Sequence, residues 1–328
     1  MKVIAFEVRE DEKKDFLEQA ERFHMEVTYC SEALTLENID QISGQDGITI
    51  LGRSNISSEI LDKMKAFGVK FLATRTIGFN HIDVEYAKKV GIRISNSQYA
   101  PNGVAEFSVM LLLMSLRHYK QALFRGNVND YSLRGLQGRE LRNLTVGIIG
   151  TGKIGESVVR NLQGFGCNII AYDAYKKESL KEMVTYVSLD ELYEKSDVIS
   201  LHTPLLDSTY HMIDKNSIAK MKPGVIIINC ARGELMSIPD IIEAVETEKI
   251  GALGLDVFEK EEGIYHHDLR SDIISNKDMA YLRQFPNVTM TQHMAFYTDA
   301  AVASMVEGSL EALLSFYNKS ESSYEVFV

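Results

Sequence analysis

Two doubly wound α/β units, each a parallel sheet with helices on both faces, are predicted by three observations. Short apolar runs alternate with amphipathic stretches along nearly the whole chain. A glycine-rich turn stands between a strand pattern and a helix pattern near its middle. The 328 residues, 45% of them hydrophobic, suffice for about two domains with ordinary buried cores. Strands that alternate with helices imply parallel sheets, because each crossover returns the chain to the same edge of the sheet.

In the first series, residues 3–8, 27–29, 47–51, 69–74 and 92–95 read as buried strands. Between them, 11–23, 58–67 and 84–90 carry apolar positions at helical spacing. A second series starts at 145–149 and runs through 168–172, 198–201, 225–229 and 252–256 to 288–291. Its helices are expected at 154–165, 189–195 and 239–248. The Pro101-Asn102-Gly103 turn and the polar Tyr297-Thr298-Asp299 stretch are the expected hinges. The last helix, about 300–317, either folds back onto the first series or extends the second, and the pattern by itself allows both.

Composition excludes several function classes. A formal net charge of -11 leaves no basic footprint for nucleic acid or an anionic membrane. The apolar start, Met1 to Phe6, is too short for a signal-peptide core, and the apolar window 107–116 ends at Arg117, well short of a membrane span. Cys30, Cys167 and Cys230 are scattered without a Cys-x-x-Cys, which argues against a disulfide framework or a zinc site and for a cytoplasmic setting. The His266-His267 pair lacks further ligands at useful spacing and reads as a solvated loop, so no metal is expected.

The run Gly150-Thr151-Gly152-Lys153-Ile154-Gly155 follows a strand and opens a helix. Three glycines in a loop are common; this context makes them a dinucleotide fingerprint. Gly150 permits the tight turn, Gly152 lets backbone N–H groups approach a pyrophosphate, and Gly155 brings helix and strand close. Asp173 ends the next strand, about twenty residues on, where a carboxylate accepts from the adenosine ribose hydroxyls and repels a 2′-phosphate. NAD is therefore expected over NADP, with Lys176 and Lys177 near enough in sequence to soften that preference.

Six further stretches complete the pattern. They are Thr74-Arg75-Thr76-Ile77-Gly78-Phe79-Asn80-His81-Ile82-Asp83, Tyr99-Ala100-Pro101-Asn102-Gly103-Val104-Ala105-Glu106 and His202-Thr203-Pro204-Leu205. Then come Asn229-Cys230-Ala231-Arg232-Gly233, Leu255-Asp256-Val257-Phe258-Glu259-Lys260-Glu261 and Thr291-Gln292-His293. Through them the chain resembles the D-isomer-specific 2-hydroxyacid dehydrogenases over essentially its whole length. Within that family it is most similar to the D-lactate dehydrogenases and VanH-type enzymes, partly through Glu261-Glu262-Gly263-Ile264 and the insert after it. The resemblance implies a flavodoxin-like substrate domain made of residues 1–99 and 299–328, a Rossmann NAD-binding domain at 100–298, and a homodimer paired through the NAD-binding domains.

Reducing a 2-oxo acid requires a cation for the carboxylate, a hydride at the carbonyl carbon and an acid for its oxygen. No side chain supplies a hydride; the nicotinamide does. Arg232 follows the 225–229 strand, and its planar fork suits a carboxylate; alone it reads as a surface residue, and the resemblance makes it the substrate's anchor. Among eight histidines, the resemblance singles out His293, just after the last strand, as the acid. It assigns Glu261, five residues beyond Asp256, as the partner of His293, with Glu259 and Glu262 as neighbouring competitors. It also places His202, Thr203, Pro204 and Asp256 against the cofactor, Asp256 at the nicotinamide. Ile77 and Gly78 are expected to offer backbone N–H groups to the substrate, with Tyr99 and Phe296 as walls. The family usually has proline before its catalytic histidine; Gln292 stands there, so the turn is expected to be looser or to carry an extra hydrogen bond.

The expected reaction is pyruvate to D-lactate. A bulkier acid such as 2-oxoisocaproate or phenylpyruvate is the alternative. Corepressors that resemble this family and use the NAD-bound fold as an interaction surface are the alternative of another class, which the complete Arg232, Glu261 and His293 set disfavours.

Overall fold

Period-two alternation in the first strands explains how one sheet carries two cores. Val3 and Ala5 face one side and Ile4 and Phe6 the other, so each strand feeds both faces. The structure, a computed structural model, describes residues 1–326; the last two residues of the predicted 299–328 segment lie outside the described residues. The chain divides into two compact units, Met1–Ala100 with Tyr297–Val328, and Pro101–Phe296.

The first unit has five parallel strands, β1 (Lys2–Ala5), β2 (Glu26–Tyr29), β3 (Gly47–Ile50), β4 (Phe71–Thr74) and β5 (Arg93–Ser95). Their order β2-β1-β3-β4-β5 is flavodoxin-like. Helices α1 (Lys13–Arg22), α2 (Ser58–Ala66) and α3 (Val84–Val90) intervene. Val306, Leu310 and Leu313 of the long C-terminal helix pack with Val3, Ala5, Phe16 and Ala73, so that helix folds back onto the first sheet.

The second unit opens with α4 (Asn102–Leu116) and α5 (Tyr119–Asn127). The expected Pro101–Gly103 hinge turn is the start of α4, with Pro101 at its N-cap. Seven parallel strands follow: β6 (Thr145–Ile149), β7 (Asn168–Tyr172), β8 (Thr185–Tyr186), β9 (Val198–Leu201), β10 (Val225–Asn229), β11 (Ile250–Leu255) and β12 (Val288–Met290). Between them run α6 (Lys153–Gln163), α7 (Leu189–Lys195), α8 (Lys215–Lys220), α9 (Ile238–Glu246) and α10 (Lys277–Leu282), and α11 (Asp299–Tyr317) is the helix returned to the first unit. The order β12-β11-β10-β9-β6-β7-β8 reverses direction between β6 and β9, as in a Rossmann sheet. The sequence pattern missed α4 because apolar residues also lie outside its buried face, Phe107, Met110, Leu113 and Met114 beside the buried Val104, Val109, Leu112 and Leu116, and so it shows no clean amphipathic stripe. It missed α8 and α10 because six residues are too few to display a period. No helix among the described residues is long and apolar enough to cross a membrane.

Candidate active site

Because all strands of the second sheet are parallel, each delivers its following loop to one edge. Gly150, His202, Arg232, Asp256 and His293 all follow strands and share that edge, where open α/β sheets bind ligands. The glycine turn shows what fits there. Gly150 has φ +91°, and a Cβ on it would lie 2.6 Å from the His202 carbonyl oxygen. A Cβ on Gly155 would come within 1.9 Å of the Gly150 oxygen. The fold itself therefore demands these two glycines. A Cβ on Gly152 meets nothing within 4 Å, and Gly152 caps α6 without any side-chain acceptor for the helix N–H groups. A bare helix start with open room is the cradle of a pyrophosphate, so the residues present fit a dinucleotide. Lys153 and Ile154 open the helix behind it.

Asp173 Oδ2 accepts from the Thr151 amide at 2.5 Å and the Thr151 hydroxyl at 3.0 Å, and Oδ1 accepts from the Tyr175 amide at 2.8 Å. Tyr186 donates its hydroxyl to Thr151 Oγ1 at 3.0 Å. The Lys177 ammonium, which the sequence left able to soften the cofactor preference, is 2.7 Å from Glu156. His202 Nε2 lies 2.8 Å from Ser200 Oγ, while its Nδ1 is buried without a partner among the described residues. Burial pushes the His202 imidazole down to about 4, so it is neutral near pH 7 and unfit as the acid. Thr203 is half-buried and Pro204 exposed beside it.

On the neighbouring strand β10, the buried Asn229 side chain ties the next loop. Its Oδ1 accepts from the Ala231 amide at 2.9 Å, and its Nδ2 donates to the Arg232 carbonyl at 2.7 Å. Arg232 is half-buried, with Nη1 donating to the Ala231 carbonyl at 2.6 Å. Burial raises the neighbouring Cys230 thiol to about 12, which removes it as a reactive thiolate.

The turn after β12 is organised by Asp256, which is fully buried. Its Oδ1 accepts from the Thr291 hydroxyl at 2.6 Å and the Met294 amide at 2.9 Å; its Oδ2 accepts from the Ala295 amide at 2.8 Å. Its carbonyl takes the His293 amide at 2.8 Å. Sequence reasoning assigned Asp256 to the nicotinamide and missed this work inside the protein; a strand-end carboxylate preceding a loop carries no signal of which amides it will meet. These bonds brace the turn on both sides of Gln292. They hold His293 in the left-handed region, φ +52°, which is unusual for a residue with a side chain. Of the three neighbouring acids, only Glu261 bonds the His293 ring, its Oε1 taking Nδ1 while Oε2 accepts from the Phe258 amide at 2.7 Å. Glu259 instead lies 3.1 Å from His211 Nε2, and Glu262 is exposed. The Phe296 ring is 6.3 Å from that of His293, nearly perpendicular to it. Among the described residues, no three His, Cys, Asp or Glu side chains converge as a metal set.

In the first unit, Ile77 and Gly78 follow β4 in a tied loop. Thr76 donates its hydroxyl to the Gly78 carbonyl at 2.6 Å, and Asn96 donates to the Ile77 carbonyl at 2.8 Å. Arg75, fully buried, anchors the loop through Glu12 at 3.0 Å and the Phe6 carbonyl at 2.9 Å. Tyr99 is half-buried.

Residues 109–295 match the model of a family described as D-isomer specific 2-hydroxyacid dehydrogenase, NAD binding domain. The chain is 45% identical to an aromatic 2-oxoacid reductase of Clostridium sporogenes, over 96% of each protein. The chain belongs to the D-isomer specific 2-hydroxyacid dehydrogenase family. A D-lactate dehydrogenase of Lactiplantibacillus plantarum is 37% identical over 99% of both chains. The crystal structure of a D-lactate dehydrogenase from Treponema pallidum superimposes with a TM-score of 0.91, at 32% identity and full coverage of both. The protein is thus an NAD-dependent D-2-hydroxyacid dehydrogenase, which answers the corepressor alternative in favour of an enzyme.

Proposed function

We propose that this dehydrogenase reduces a 2-oxo acid with His293 as proton donor, Glu261 as the group that positions it, and Arg232 as the cation for the substrate carboxylate. The observation that carries the reading is the Glu261 bond to His293 Nδ1. A carboxylate only accepts, so Nδ1 carries a proton there and Nε2 is the nitrogen left to serve the substrate oxygen. Bound NADH supplies the hydride to the carbonyl carbon. The Arg232 fork holds the carboxylate and draws charge from the adjacent carbonyl, while Ile77 and Gly78 add backbone N–H groups. Tyr99 and Phe296 wall the substrate. Gly150, Thr151, Gly152, Lys153, Ile154 and Gly155 cradle the pyrophosphate, Asp173 takes the ribose, and His202, Thr203, Pro204 and Asp256 line the nicotinamide side. Substrate binding falls to the segments 1–99 and 299–328 and cofactor binding to 100–298.

Pyruvate, giving D-lactate, is the substrate assigned from the motifs, and relatives named as D-lactate dehydrogenases support it. A second reading, phenylpyruvate or another bulky 2-oxo acid such as 2-oxoisocaproate, is supported by the likeness to the aromatic 2-oxoacid reductase.

The working form proposed is a homodimer in the cytoplasm. In support, α5 buries none of its residues, and Tyr119, Leu123, Phe124, Val128, Tyr131 and Leu133 are all exposed. A run of large apolar side chains on one segment suits a second copy of the same surface. The three cysteines are free, which suits a reducing compartment.

The test is NADH oxidation by purified protein across pyruvate, phenylpyruvate, 2-oxoisocaproate and glyoxylate, with product chirality assigned. A D-product from pyruvate at the highest kcat/KM supports the first reading; preference for phenylpyruvate replaces it with the second. An L-product, or no turnover in protein that binds NADH, refutes both.

A further inference from the structure

The turn that carries Glu261 grips His293 at a second point. The Glu261 carbonyl accepts from the Ile264 amide at 3.0 Å and the Tyr265 amide at 3.1 Å, closing a tight turn that brings His266 back. His266 sits at φ +63° and places its Nε2 3.2 Å from the carbonyl oxygen of His293. A carbonyl only accepts, so His266 donates. Its ring centroid is 6.2 Å from that of His293 and 6.5 Å from that of Phe296. One short segment therefore holds the proposed acid twice: Glu261 at the imidazole, His266 at the main chain.

We infer that His266 is a positioning residue for His293, a side-chain tether that fixes the carbonyl side of the catalytic turn. This rests on the role proposed for His293. The other bonds of the turn reach the His293 amide and the Met294 and Ala295 amides, all through Asp256. The Met294 amide shares its peptide plane with the His293 carbonyl, so Asp256 Oδ1 holds that plane at its N–H edge and His266 Nε2 holds it at its C=O edge; the plane sets the direction of the chain leaving a left-handed residue. A left-handed residue bearing a side chain persists only where its surroundings over-determine it, and His266 adds the constraint on that side. The sequence reading placed His266 in a solvated histidine pair, and both histidines are exposed; the carbonyl that His266 meets left no sign in the sequence.

The test separates donor from ring. His266→Phe keeps an aromatic ring and removes the donor; His266→Gln keeps an N–H donor near the position of Nε2 and removes the ring. With the preferred 2-oxo acid, His266→Phe is expected to lower kcat about three- to tenfold, the scale of one lost hydrogen bond. KM, NADH affinity by nicotinamide fluorescence and Tm stay near the parent's, and His266→Gln restores kcat to within about twofold. Hydrogen exchange at the 293–295 amides provides a readout independent of turnover: faster in His266→Phe, unchanged in His266→Gln. Unchanged kcat and exchange in His266→Phe, or equal impairment of both variants, overturns the tether. If the parent turns over no 2-oxo acid, the functional reading fails, and the exchange comparison still decides whether the tether exists.

Discussion

Replacing Glu261 by glutamine exchanges one carboxylate oxygen for an amide nitrogen at a residue that uses both oxygens. Oε2 accepts from the Phe258 amide at 2.7 Å, and Oε1 takes His293 Nδ1. Glutamine has one acceptor for these two donors. If its oxygen keeps Phe258, its NH2 group faces Nδ1 and opposes the protonated imidazole that the reduction needs. If its oxygen keeps His293, the NH2 group meets the Phe258 N–H. Either way one donor in a half-buried site is left unsatisfied, at about 1–3 kcal/mol, and the charge assistance worth about 1 kcal/mol more is lost. At 1.36 kcal/mol per tenfold, the sum of about 2–4 kcal/mol corresponds to a roughly 30- to 1,000-fold fall in kcat. The assay is kcat at saturating 2-oxo acid beside NADH affinity, which is expected to change little, and Tm, which is expected to fall by about a few degrees. Glu261→Asp, with both acceptors one methylene short, should fall between parent and glutamine. A kcat for Glu261→Gln within threefold of the parent, in folded protein that binds NADH, would refute the reasoning.

The two glycines of the turn should fail differently. Gly155→Ala forces a Cβ against the Gly150 oxygen and is expected to lower Tm by several degrees, whereas Gly152→Ala meets no protein atom, keeps Tm and weakens NADH binding at least tenfold; matching behaviour of the two variants would contradict the assignment. His202, held neutral with its pKa lowered from 6.5 to about 4, binds a proton more readily unfolded than folded. Stability is therefore lost as pH falls through that window, by up to about 3 kcal/mol, and His202→Gln should show a shallower loss of Tm between pH 6.5 and 4.5; an identical slope counts against the buried-neutral reading. His81, also pushed down by burial, contributes equally to both proteins. Phe124→Glu on the exposed face of α5 should shift the protein toward monomer by light scattering, and an unaltered mass would remove α5 from the interface.

Much of this was legible in the chain. Strands with continuous apolar runs, such as 145–149 and 225–229, stood at their observed bounds, because a strand buried on both faces must be apolar throughout. Elements of two or six residues and the all-round apolar α4 escaped for want of a readable period. Gly150, Gly152 and Gly155 were individually interpretable, since each conformational demand attaches to one position.

What the sequence by itself determined is the set of chemical groups and the strand after which each one comes. A parallel sheet then obliges those groups to share an edge, because every strand points the same way. The resemblance had named Glu261 over Glu259 and Glu262 for His293; only the tertiary structure supplied the bond itself, Asp256 as the buttress of the turn, and Lys177 beside Glu156. The reason is physical. The bonds of the His293 turn form over about 3 Å between residues up to 39 apart in the chain, and which of several nearby acids reaches a given ring is set by the turn that carries it. Spacing along the chain carries no such distance.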